Sequence, residues 1–422
     1  MGINAPKGTK DILPSQSYKW QFVEKTFKEI TARYGFKEIR TPIFEYTELF
    51  KRGVGDTTDI VEKQMYSFDD YGGRNITLKP EGTAPVVRAF VENKLYADVL
   101  PFKTFYMIPC FRYEKPQAGR LREFHQFGVE IFGTMDMLAD AEVIATAVDF
   151  LNELKINDLE LRINSIGCPL CREAYKESLM SFLKDKYEDL CDTCKGRYFK
   201  NPMRILDCKS VECQKLVVGA PRMLDYICEE CSTAFDDLKK NLDLMKIDYI
   251  VDSGIVRGLD YYTKTAFEIV SNNIGAQGTV CGGGRYDNLI EQIGGPATPG
   301  VGFGLGIERL LLLIDQNDEI APKSPAPDVY IATMGESAKE YGITLSKELR
   351  DLDISLELDL MSRNIKSQFK YADKIQTVFT IVIGDEEIEN NKLIIKNMSN
   401  FEQIVVSRED LVSKLMELLG RN

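Results

Sequence analysis

Basic, acidic and aromatic residues gather around one loop that joins two strand-like runs. Arg112 and Glu114 leave the first run, Arg120 and Arg122 approach the second, and Phe124 begins it. Every second residue of a strand lies on one face, so a hairpin would collect these guanidinium groups and carboxylates over one sheet surface. Arginine forks suit phosphate oxygens and stack on flat rings, which indicates a nucleoside triphosphate as ligand. A charged, solvated hairpin tip would contain the same residue types.

The second run contains His125, the only histidine of the chain. A lone histidine among charged residues suggests a general base. However, alternation turns His125 away from Phe124 and Gln126, and we expect it to have a structural role. The same alternation places Glu130 on the face of Gln126, and on the opposite face it predicts the core residues Phe127, Val129 and Ile131.

A second cluster places Arg257 shortly before Tyr261 and Tyr262, at the start of another strand-like run. A buried arginine is costly unless it meets an anion, so Arg257 is a candidate for binding one. In a regular strand the two tyrosines point to opposite faces, and we expect only one of them to line a given pocket. The glycines at 282–284 resemble a phosphate cradle without the spacing of a P-loop, and close packing of the strand explains them equally well.

Eight of the ten cysteines fall between residues 167 and 245, a stretch with helical periodicity and little strand signal. We interpret this stretch as a helical insertion. The C-x-x-C pairs Cys191/Cys194 and Cys228/Cys231 have the spacing of a four-thiolate zinc site. Reduced, buried thiols are the alternative, because the two pairs are far apart in helical sequence and form no compact knuckle by themselves.

The chain has 422 residues, which predicts two or three domains rather than one core. No apolar run approaches the about 20 residues that span a bilayer. The N-terminal residues lack the apolar core of a signal peptide, and we expect a cytoplasmic protein with no membrane partner. The formal net charge of −12 argues against broad attraction to nucleic acid but allows a local basic groove.

Periodicity and turn signals predict the elements that must position these residues. Apolar steps of three and four predict a helix over residues 17–34, and residues 36–50 have the pattern of a strand interrupted by Pro42. Short strands joined by loops then predict a largely antiparallel sheet. A linker at residues 321–328 precedes alternating strand and helix signals, which predict a separate small α/β domain.

Three stretches resemble the motifs of class II aminoacyl-tRNA synthetases. Motif 1 resembles YGFKEIRTPIFEYTELF, motif 2 resembles FRYEKPQAGRLREFHQFGVEIFG, and motif 3 resembles GVGFGLGIERLLLLI. This number of motifs in the family's order makes the resemblance specific.

Three further stretches resemble the histidyl-tRNA synthetase family within that class. Its two signature peptides are similar to VRGLDYYTKTAFEIV and CGGGRYDNL, and its amino-acid-binding segment is similar to KPEGTAPVVRA. The resemblance implies an α/β (α+β) fold with an antiparallel sheet flanked by helices. It also implies a catalytic domain over residues 1–325, which contains the insertion at about 167–245, and an anticodon-binding α/β domain over residues 326–422.

The implied activity is that of a histidine–tRNA ligase. Such an enzyme activates L-histidine with ATP, which the family uses together with Mg²⁺, to histidyl-adenylate and pyrophosphate. It then transfers histidine to the 3′ end of tRNA(His). The alternative is a catalytically inactive, synthetase-like regulatory subunit that senses histidine, although such paralogues typically lose the anticodon domain and the catalytic arginines.

The resemblance also implies roles for the residues of an ATP site. Arg112 and Arg257 would face each other across the α-phosphate, and Arg309 would complete the clamp on the phosphates. Glu114 would hold the adenine amino group and Phe124 would stack on the ring. The remaining ATP-site candidates are the basic residues of the hairpin loop, Arg120 and Arg122.

For the amino acid, the resemblance implies that Glu81, Thr83 and Gln126 receive the α-ammonium group, a cation with three donors. Glu130 and Tyr262 would hold the two imidazole nitrogens. The pocket walls would be Tyr261 and Tyr286.

Two features indicate macromolecular partners. Motif 1 forms a dimer interface in this class, which implies a homodimer.

A predicted helix near residues 363–375 has a basic stripe and a core-facing stripe. The basic stripe, Arg363, Lys366, Lys370 and Lys374, is a candidate tRNA contact, with a solvated helix face as the alternative. The core-facing stripe is predicted to consist of Ile365, Phe369 and Ala372.

Overall fold

The structure, a computed structural model, describes residues 2–421 except 56–57, 207, 209, 256, 272–277 and 318–319. The chain divides into two compact units, an N-terminal unit of residues 1–322 and a C-terminal unit of residues 323–422. The division lies close to the predicted domain boundary after residue 325. None of the described helices is both long and apolar enough to cross a bilayer.

The N-terminal unit combines helices with two sheets. Its helices are α1 (Pro14–Arg33), α2 (Thr47–Val54), α3 (Thr83–Glu92), α4 (Met137–Glu153), α5 (Pro169–Leu183), α6 (Asp192–Lys200), α7 (Val211–Leu216), α8 (Glu229–Leu244), α9 (Leu289–Gln292) and α10 (Ile307–Asp315). Its strands are β1 (Lys37–Glu38), β2 (Phe44–Tyr46), β3 (Tyr66–Asp69), β4 (Asn75–Leu78), β5 (Phe102–Phe111), β6 (Glu123–Phe132), β7 (Leu159–Ser165), β8 (Ile250–Val251), β9 (Thr263–Ser271), β10 (Thr279–Arg285) and β11 (Gly300–Gly306).

The main sheet has eight strands in the order β1-β5-β6-β11-β10-β9-β7-β8. The inner pairs are antiparallel, and the parallel pairs are β1 with β5 and β7 with β8 at the two edges. The predicted antiparallel sheet flanked by helices is therefore confirmed. The hairpin β5–β6 pairs over its whole length, from Phe102 opposite Phe132 to Phe111 opposite Glu123.

One face of the main sheet packs against α1 and α4. Phe127, Val129 and Ile131 are buried there, as alternation along β6 predicted. The Phe27 ring of α1 lies 4.9 Å from the Phe127 ring, measured between centroids. Because this face is sealed by apolar contacts, only the other face of β6 is left to carry polar chemistry.

A buried ion pair fixes the end of β10 against α4. The side chains of Arg285 and Asp140 are both 0% exposed, and the Arg285 guanidinium also donates to the carbonyl oxygen of Thr134 at 2.9 Å. Removing one partner of such a pair costs about 3–5 kcal/mol, because the other charge is left uncompensated. The pair therefore anchors the last residue of β10 to α4.

The predicted strand pattern over residues 36–50, interrupted at Pro42, is confirmed as far as Tyr46. The stretch breaks at Pro42, so β1 joins the main sheet, whereas β2 joins a separate sheet of order β2-β4-β3. Its last residues start α2, where Phe50 and Val54 are buried four positions apart on one helix face.

The insertion at residues 167–245 contains α5 to α8 and, among its described residues, no strand. Its helices pack around their own small apolar core, which includes Tyr175, Leu179 and Leu183. The predicted helical character of this stretch is confirmed.

The C-terminal unit has a five-stranded sheet with helices. Its elements are β12 (Val329–Thr333), α11 (Glu336–Asp351), β13 (Leu356–Leu358), α12 (Ile365–Lys374), β14 (Phe379–Ile383), α13 (Asp385–Glu389), β15 (Lys392–Asn397), β16 (Gln403–Ser407) and α14 (Leu411–Leu418). The strand order is β13-β12-β14-β15-β16, with parallel pairing from β13 to β14 and antiparallel pairing beyond.

Helix α12 has the predicted core-facing and basic stripes. The core-facing stripe also includes Gln368, and the basic stripe lacks Arg363. Ala372 is buried, Ile365 and Phe369 are half-buried, and the buried Gln368 accepts a hydrogen bond from the backbone of Thr333 at 3.0 Å. On the basic side, the exposed residues are Lys366, Lys370 and Lys374.

Arg363 does not belong to the exposed stripe. It precedes the helix, its guanidinium donates to Asp359 at 2.8 Å, and its Cζ lies 4.4 Å from the Tyr371 ring centroid. This arginine is therefore half-buried and held by its own unit, so only the three lysines present free charge along the helix face.

Candidate active site

A cleft of about 230 Å³ opens on the face of the main sheet opposite α1 and α4. It collects most of the side chains predicted to bind ATP or histidine, although they come from distant parts of the chain. These are Glu81, Thr83, Arg112, Glu114, Arg120, Phe124, Gln126, Arg257, Tyr261, Tyr262 and Arg309. Arg112 and Arg257 thus line one cavity, the arrangement on which the predicted phosphate site depends.

Arg112 and Arg309 form the basic part of the cleft. The Nε of Arg112 donates to the carbonyl oxygen of Pro80 at 2.8 Å, and its Cζ lies 5.1 Å from the Phe124 ring centroid. Burial and the neighbouring guanidinium groups of Arg120 and Arg112 lower the pKa of Arg309. Cations that destabilise one another in a partly buried cleft form a site for an anion.

The two arginines of the hairpin loop, Arg120 and Arg122, lie in different surroundings. Arg120 forms an ion pair with Glu114, and both side chains line the cleft. Arg122 does not line it, because its Cζ lies 3.9 Å from the Tyr113 ring centroid and its Nε donates to the carbonyl oxygen of Glu114 at 3.2 Å. The structure therefore gives Arg122 a role in holding the loop, whereas Arg120 is placed for a ligand.

Arg257 enters the cleft from the segment before β9. Its guanidinium forms an ion pair with Glu268, and its Cζ lies 5.4 Å from the Tyr262 ring centroid. Its buried Nε has no hydrogen-bond partner among the described residues. A Cβ on Gly282 would lie 2.5 Å from Nη1 of Arg257, so a larger residue there would displace this guanidinium.

Glu268 is a site residue that the sequence reasoning missed. It lies on β9, and its second oxygen accepts a hydrogen bond from Thr279 at 3.0 Å. Its acidic side chain within the apolar run AFEIV, downstream of a predicted anion-binding arginine, was the available signal.

Glu81, Thr83 and Gln126 gather at the start of α3. The Glu81 carboxylate accepts hydrogen bonds from the backbone N–H groups of Thr83 and Ala84, each at 2.8 Å. Gln126 Oε1 accepts one from the N–H of Gly82 at 3.1 Å. Burial raises the pKa of Glu81, and these hydrogen bonds oppose the rise. The helix N-terminus thereby orients a set of acceptors at the edge of the cleft.

Glu130 lies behind these acceptors and does not line the cleft. It is 0% exposed, and its carboxylate accepts hydrogen bonds from Thr83 Oγ1 at 2.8 Å, from Tyr106 at 3.2 Å and from Tyr286. Burial raises the pKa of Glu130 to about 8, against the hydrogen bonds that favour its ionised form. Tyr286 is therefore a positioning residue for Glu130 rather than a wall of the cleft.

Glycines in β11 make room for these side chains. A Cβ on Gly302 would lie 1.8 Å from Glu130 Oε2, and one on Gly304 would lie 1.9 Å from Gln126 Nε2. Backbone alone can pass at these distances. The close-packing explanation given for the glycines at 282–284 also holds at Gly283, where a Cβ would lie 2.2 Å from the carbonyl oxygen of Gly302.

The expectation that only one of Tyr261 and Tyr262 lines a given pocket is wrong. Both line the cleft, and their ring centroids lie 4.7 Å apart. The two residues precede β9 in a turn, so strand alternation does not apply to them.

His125 does not line the cleft, in agreement with its predicted structural role. Its Nδ1 lies 3.0 Å from Glu308 Oε1, and its ring packs edge-on against Trp20 at 4.8 Å between centroids. The imidazole therefore joins α1, β6 and α10 on the other side of the hairpin.

The predicted zinc set of Cys191, Cys194, Cys228 and Cys231 is wrong. The cysteines fall into two separate groups of four, Cys168, Cys171, Cys228 and Cys231 in one and Cys191, Cys194, Cys208 and Cys213 in the other. The pairs at the starts of α6 and α8 meet different partners because α6 and α7 fold back on each other, whereas α8 returns to the start of α5.

Comparisons with known proteins agree with this geometry. The histidyl-tRNA synthetase family model matches residues 8–310, and the anticodon binding domain model matches residues 328–418. A histidine–tRNA ligase of Caldanaerobacter subterraneus subsp. tengcongensis is 58% identical over 411 residues, covering 97% of this chain and 99% of the relative. A histidine–tRNA ligase of Clostridioides difficile is 56% identical over 420 residues, covering 99% of this chain and 100% of the relative.

Solved structures show the same similarity. The apo histidyl-tRNA synthetase of S. aureus is 40% identical with a TM-score of 0.84, covering 98% of this chain and 100% of that one. A Bacillus halodurans C protein described as an ATP phosphoribosyltransferase regulatory subunit/histidyl-tRNA synthetase is 22% identical with a TM-score of 0.65, covering 91% and 98%. The latter similarity concerns the fold alone.

We expect Glu130→Gln to alter how stability depends on pH. The pKa of Glu130 is about 8 in the folded protein against an ordinary value of 4.5, so between these values the folded chain retains a proton that the unfolded chain has lost. The free energy of unfolding contributed by this group therefore falls as pH rises through that window. The glutamine variant does not titrate and should lack this fall.

Urea unfolding at about pH 5 and about pH 8 measures the difference. Trp20, the only tryptophan, packs against the core of the N-terminal unit and reports its unfolding by fluorescence. The exposed Glu29→Gln serves as control. An equal wild-type-to-variant difference at both pH values would contradict the expected titration of Glu130.

Proposed function

The chain belongs to the histidyl-tRNA synthetase family, and on that premise we propose that its cleft activates L-histidine with ATP and that the product is transferred to tRNA(His). One observation carries the proposal at the level of residues. Arg112, Arg257 and Arg309, from distant stretches of the chain, line the same cleft as the acceptors Glu81, Thr83 and Gln126. A cation cluster beside a set of acceptors suits a ligand pair with a phosphate at one end and an ammonium group at the other.

Histidine occupies the acceptor end in this proposal. Its α-ammonium group donates to Glu81, Thr83 and Gln126, whose positions are fixed by the start of α3. Its imidazole reaches inward toward Glu130 and Tyr262. A buried carboxyl group that pairs with a ring nitrogen rejects an apolar side chain of similar size, because the carboxyl group would then lose a partner.

ATP occupies the basic end, and Mg²⁺ enters with it as part of the substrate. Phe124 stacks on the adenine, and Glu114 accepts from its amino group. Arg112 and Arg309 bind the phosphates, and Arg120 covers them from the hairpin loop. Pairing with Glu114 keeps Arg120 over the cleft before the nucleotide arrives.

The first reaction is an in-line displacement at the α-phosphorus. A carboxylate oxygen of histidine forms the new bond to phosphorus, and the bond from phosphorus to the bridging oxygen of pyrophosphate breaks. Negative charge grows on the phosphoryl oxygens, where Arg112 and Arg257 stabilise it. The attacking carboxylate is already ionised, so this step requires no side-chain base.

In the second reaction a terminal ribose hydroxyl of the tRNA attacks the histidyl carbonyl and AMP leaves. We place both reactions in the bacterial cytoplasm, in keeping with the bacterial relatives. The regulatory-subunit alternative is disfavoured by close relatives named as ligases along the full chain and by the presence of a C-terminal unit.

The C-terminal unit is proposed to bind the anticodon, with Lys366, Lys370 and Lys374 of α12 contacting the backbone. Their exposed ammonium groups form a local basic face on a protein whose formal net charge is −12. Such a face provides phosphate contacts without general affinity for nucleic acid.

The homodimer is proposed on the motif 1 region. Large apolar side chains are exposed on and beside the small sheet β2-β4-β3, and their exposed fractions are 49% for Ile43, 55% for Phe44, 57% for Tyr46 and 48% for Phe68. A cluster of this kind on the surface of one chain is typical of an interface.

Arg257→Ala should reduce histidine-dependent exchange of pyrophosphate into ATP by at least about 100-fold, since it removes a fixed cation from the transition state. The matched control is Arg162→Ala. This arginine also forms ion pairs, with Glu160 and Asp252, but it does not line the cleft, so its variant should retain exchange. Trp20 fluorescence verifies that both variants are folded. A loss of less than about tenfold would exclude Arg257 from the chemistry, whereas absent exchange in the wild type would exclude the ligase itself.

Replacing Lys366, Lys370 and Lys374 together by alanine should weaken tRNA(His) binding and lower the slope of log affinity against log salt concentration by about 1 for each phosphate that the variant no longer binds. The measurement is a binding titration at several salt concentrations. Lys339 and Lys347 of α11, changed to alanine together, provide the charge control. An unchanged slope in the triple variant would remove the α12 lysines from the interface.

Light scattering at micromolar concentration should give the mass of two chains, about twice 47.9 kDa. Phe44→Asp should shift the mass toward one chain, because it places a charge in the apolar contact. Leu360→Asp, at a residue 90% exposed in the C-terminal unit, should leave the mass unchanged. A wild type that remains a single chain would refute the dimer.

A further inference from the structure

We propose that the insertion binds two zinc ions, each held by four cysteine thiolates. The first site consists of Cys168, Cys171, Cys228 and Cys231, and the second consists of Cys191, Cys194, Cys208 and Cys213. Together they account for all the cysteines of the insertion. Both sites lie outside the residues to which the activation reaction is assigned.

The sulfur positions match the geometry of such a site. In each group the four Sγ atoms lie within 4.8 Å of one another. The Sγ atoms of Cys168 and Cys171 are 3.5 Å apart, and those of Cys191 and Cys208 are 3.8 Å apart. A tetrahedral zinc with bonds of about 2.3 Å requires sulfur atoms about 3.8 Å apart, so the metal fits with little movement.

The backbone around each group is arranged to accept negative sulfur. The N–H of Cys228 donates to Cys171 Sγ at 3.1 Å, and the N–H of Cys191 donates to Cys213 Sγ at 3.4 Å. Cys168, Cys191 and Cys228 each cap the N-terminus of a helix, where the helix dipole favours an anion. N–H donors of this kind orient metal-bound thiolates.

The small apolar core of the insertion also indicates that a metal stabilises it. Five of its twelve buried residues are cysteines, so aliphatic and aromatic side chains supply only part of the packing. A small module with so limited an apolar core needs a cross-link to be stable. All ten cysteines are free thiols in the structure, and zinc supplies the cross-link without a disulfide.

The balance of the binding step is simple. Each Zn²⁺ replaces the protons of four thiols, forms four Zn–S bonds and releases four protons, with no change of oxidation state. The first site joins the two ends of the insertion, and the second site lies within the segment that the first one closes.

The sites connect to the cleft through the segment that carries Arg257. Arg172, on the helix begun by Cys168, donates to the carbonyl oxygen of Tyr262 at 3.1 Å. Arg204, shortly before Cys208, donates to the carbonyl oxygen of Gly258 at 3.0 Å and to Asp260 at 2.9 Å. Zinc therefore stabilises the contacts that hold residues 257–262, in addition to the insertion itself.

Metal analysis of the full-length protein, purified without chelator, tests the proposal. We expect two zinc ions per chain and, in native mass spectrometry, the added mass of two zinc ions, which a chelator removes. The double variants Cys171→Ser/Cys231→Ser and Cys194→Ser/Cys213→Ser should each retain one ion. Cys110→Ser, at a buried cysteine outside both groups, should retain two.

A titration of metal-free wild type with Co²⁺ does not depend on whether the variants fold. Sulfur-to-cobalt charge-transfer absorption should saturate at two equivalents, and Zn²⁺ should abolish it. Hydrogen exchange of residues 258–264 should slow when Zn²⁺ is restored. Disulfides in either group of the freshly purified protein, saturation at one equivalent, or absence of thiolate bands would each overturn the proposal.

Discussion

Several guanidinium groups must share one small cleft before any anion is bound. At the effective dielectric constant of a protein surface, two unit charges about 4 Å apart interact by about 4 kcal/mol, so unsupported arginines would turn away from each other. Each arginine here is anchored by a different part of the sheet: Arg112 by the Pro80 carbonyl, Arg257 by Glu268 and Arg309 by the Thr279 carbonyl at 2.7 Å. The site depends on these anchors, because they hold the repelling charges in the same cleft, where we propose that the α-phosphate binds.

The start of α3 obeys the opposite constraint, since it gathers carboxyl groups instead of cations. Glu81 and Glu130 are both buried, and each has its oxygens occupied by donors from within the protein. Thr83 connects them, because its N–H donates to Glu81 and its hydroxyl donates to Glu130. The start of α3 therefore holds the acidic end as the sheet holds the basic end, and in the proposed reaction the amino acid bridges the two.

Strand periodicity predicted the site well where the backbone is regular. On β6 alternation correctly separated Phe127 and Val129 from Phe124 and Gln126, because the hairpin pairs without interruption. It failed at Tyr262, which lies before the strand begins.

Contacts between residues that are distant in sequence were the other feature that sequence patterns could not predict. The ion pair of Glu268 with Arg257 and the division of the cysteines into two groups depend on how separate elements return to one place, which local spacing does not encode. The orientation of Arg122 likewise depends on Tyr113, its neighbour only after the loop has closed. The family resemblance supplied the candidate residues, whereas their hydrogen-bond partners required the tertiary structure.

The backbone floor of the cleft limits how this site can change over evolution. Where Gly302 and Gly304 pass beneath Glu130 and Gln126, even one methyl group would collide with the side chains above. The floor therefore cannot be raised at Gly302 without moving the backbone of Val129, and a change in what the cleft binds requires exchange of its polar side chains.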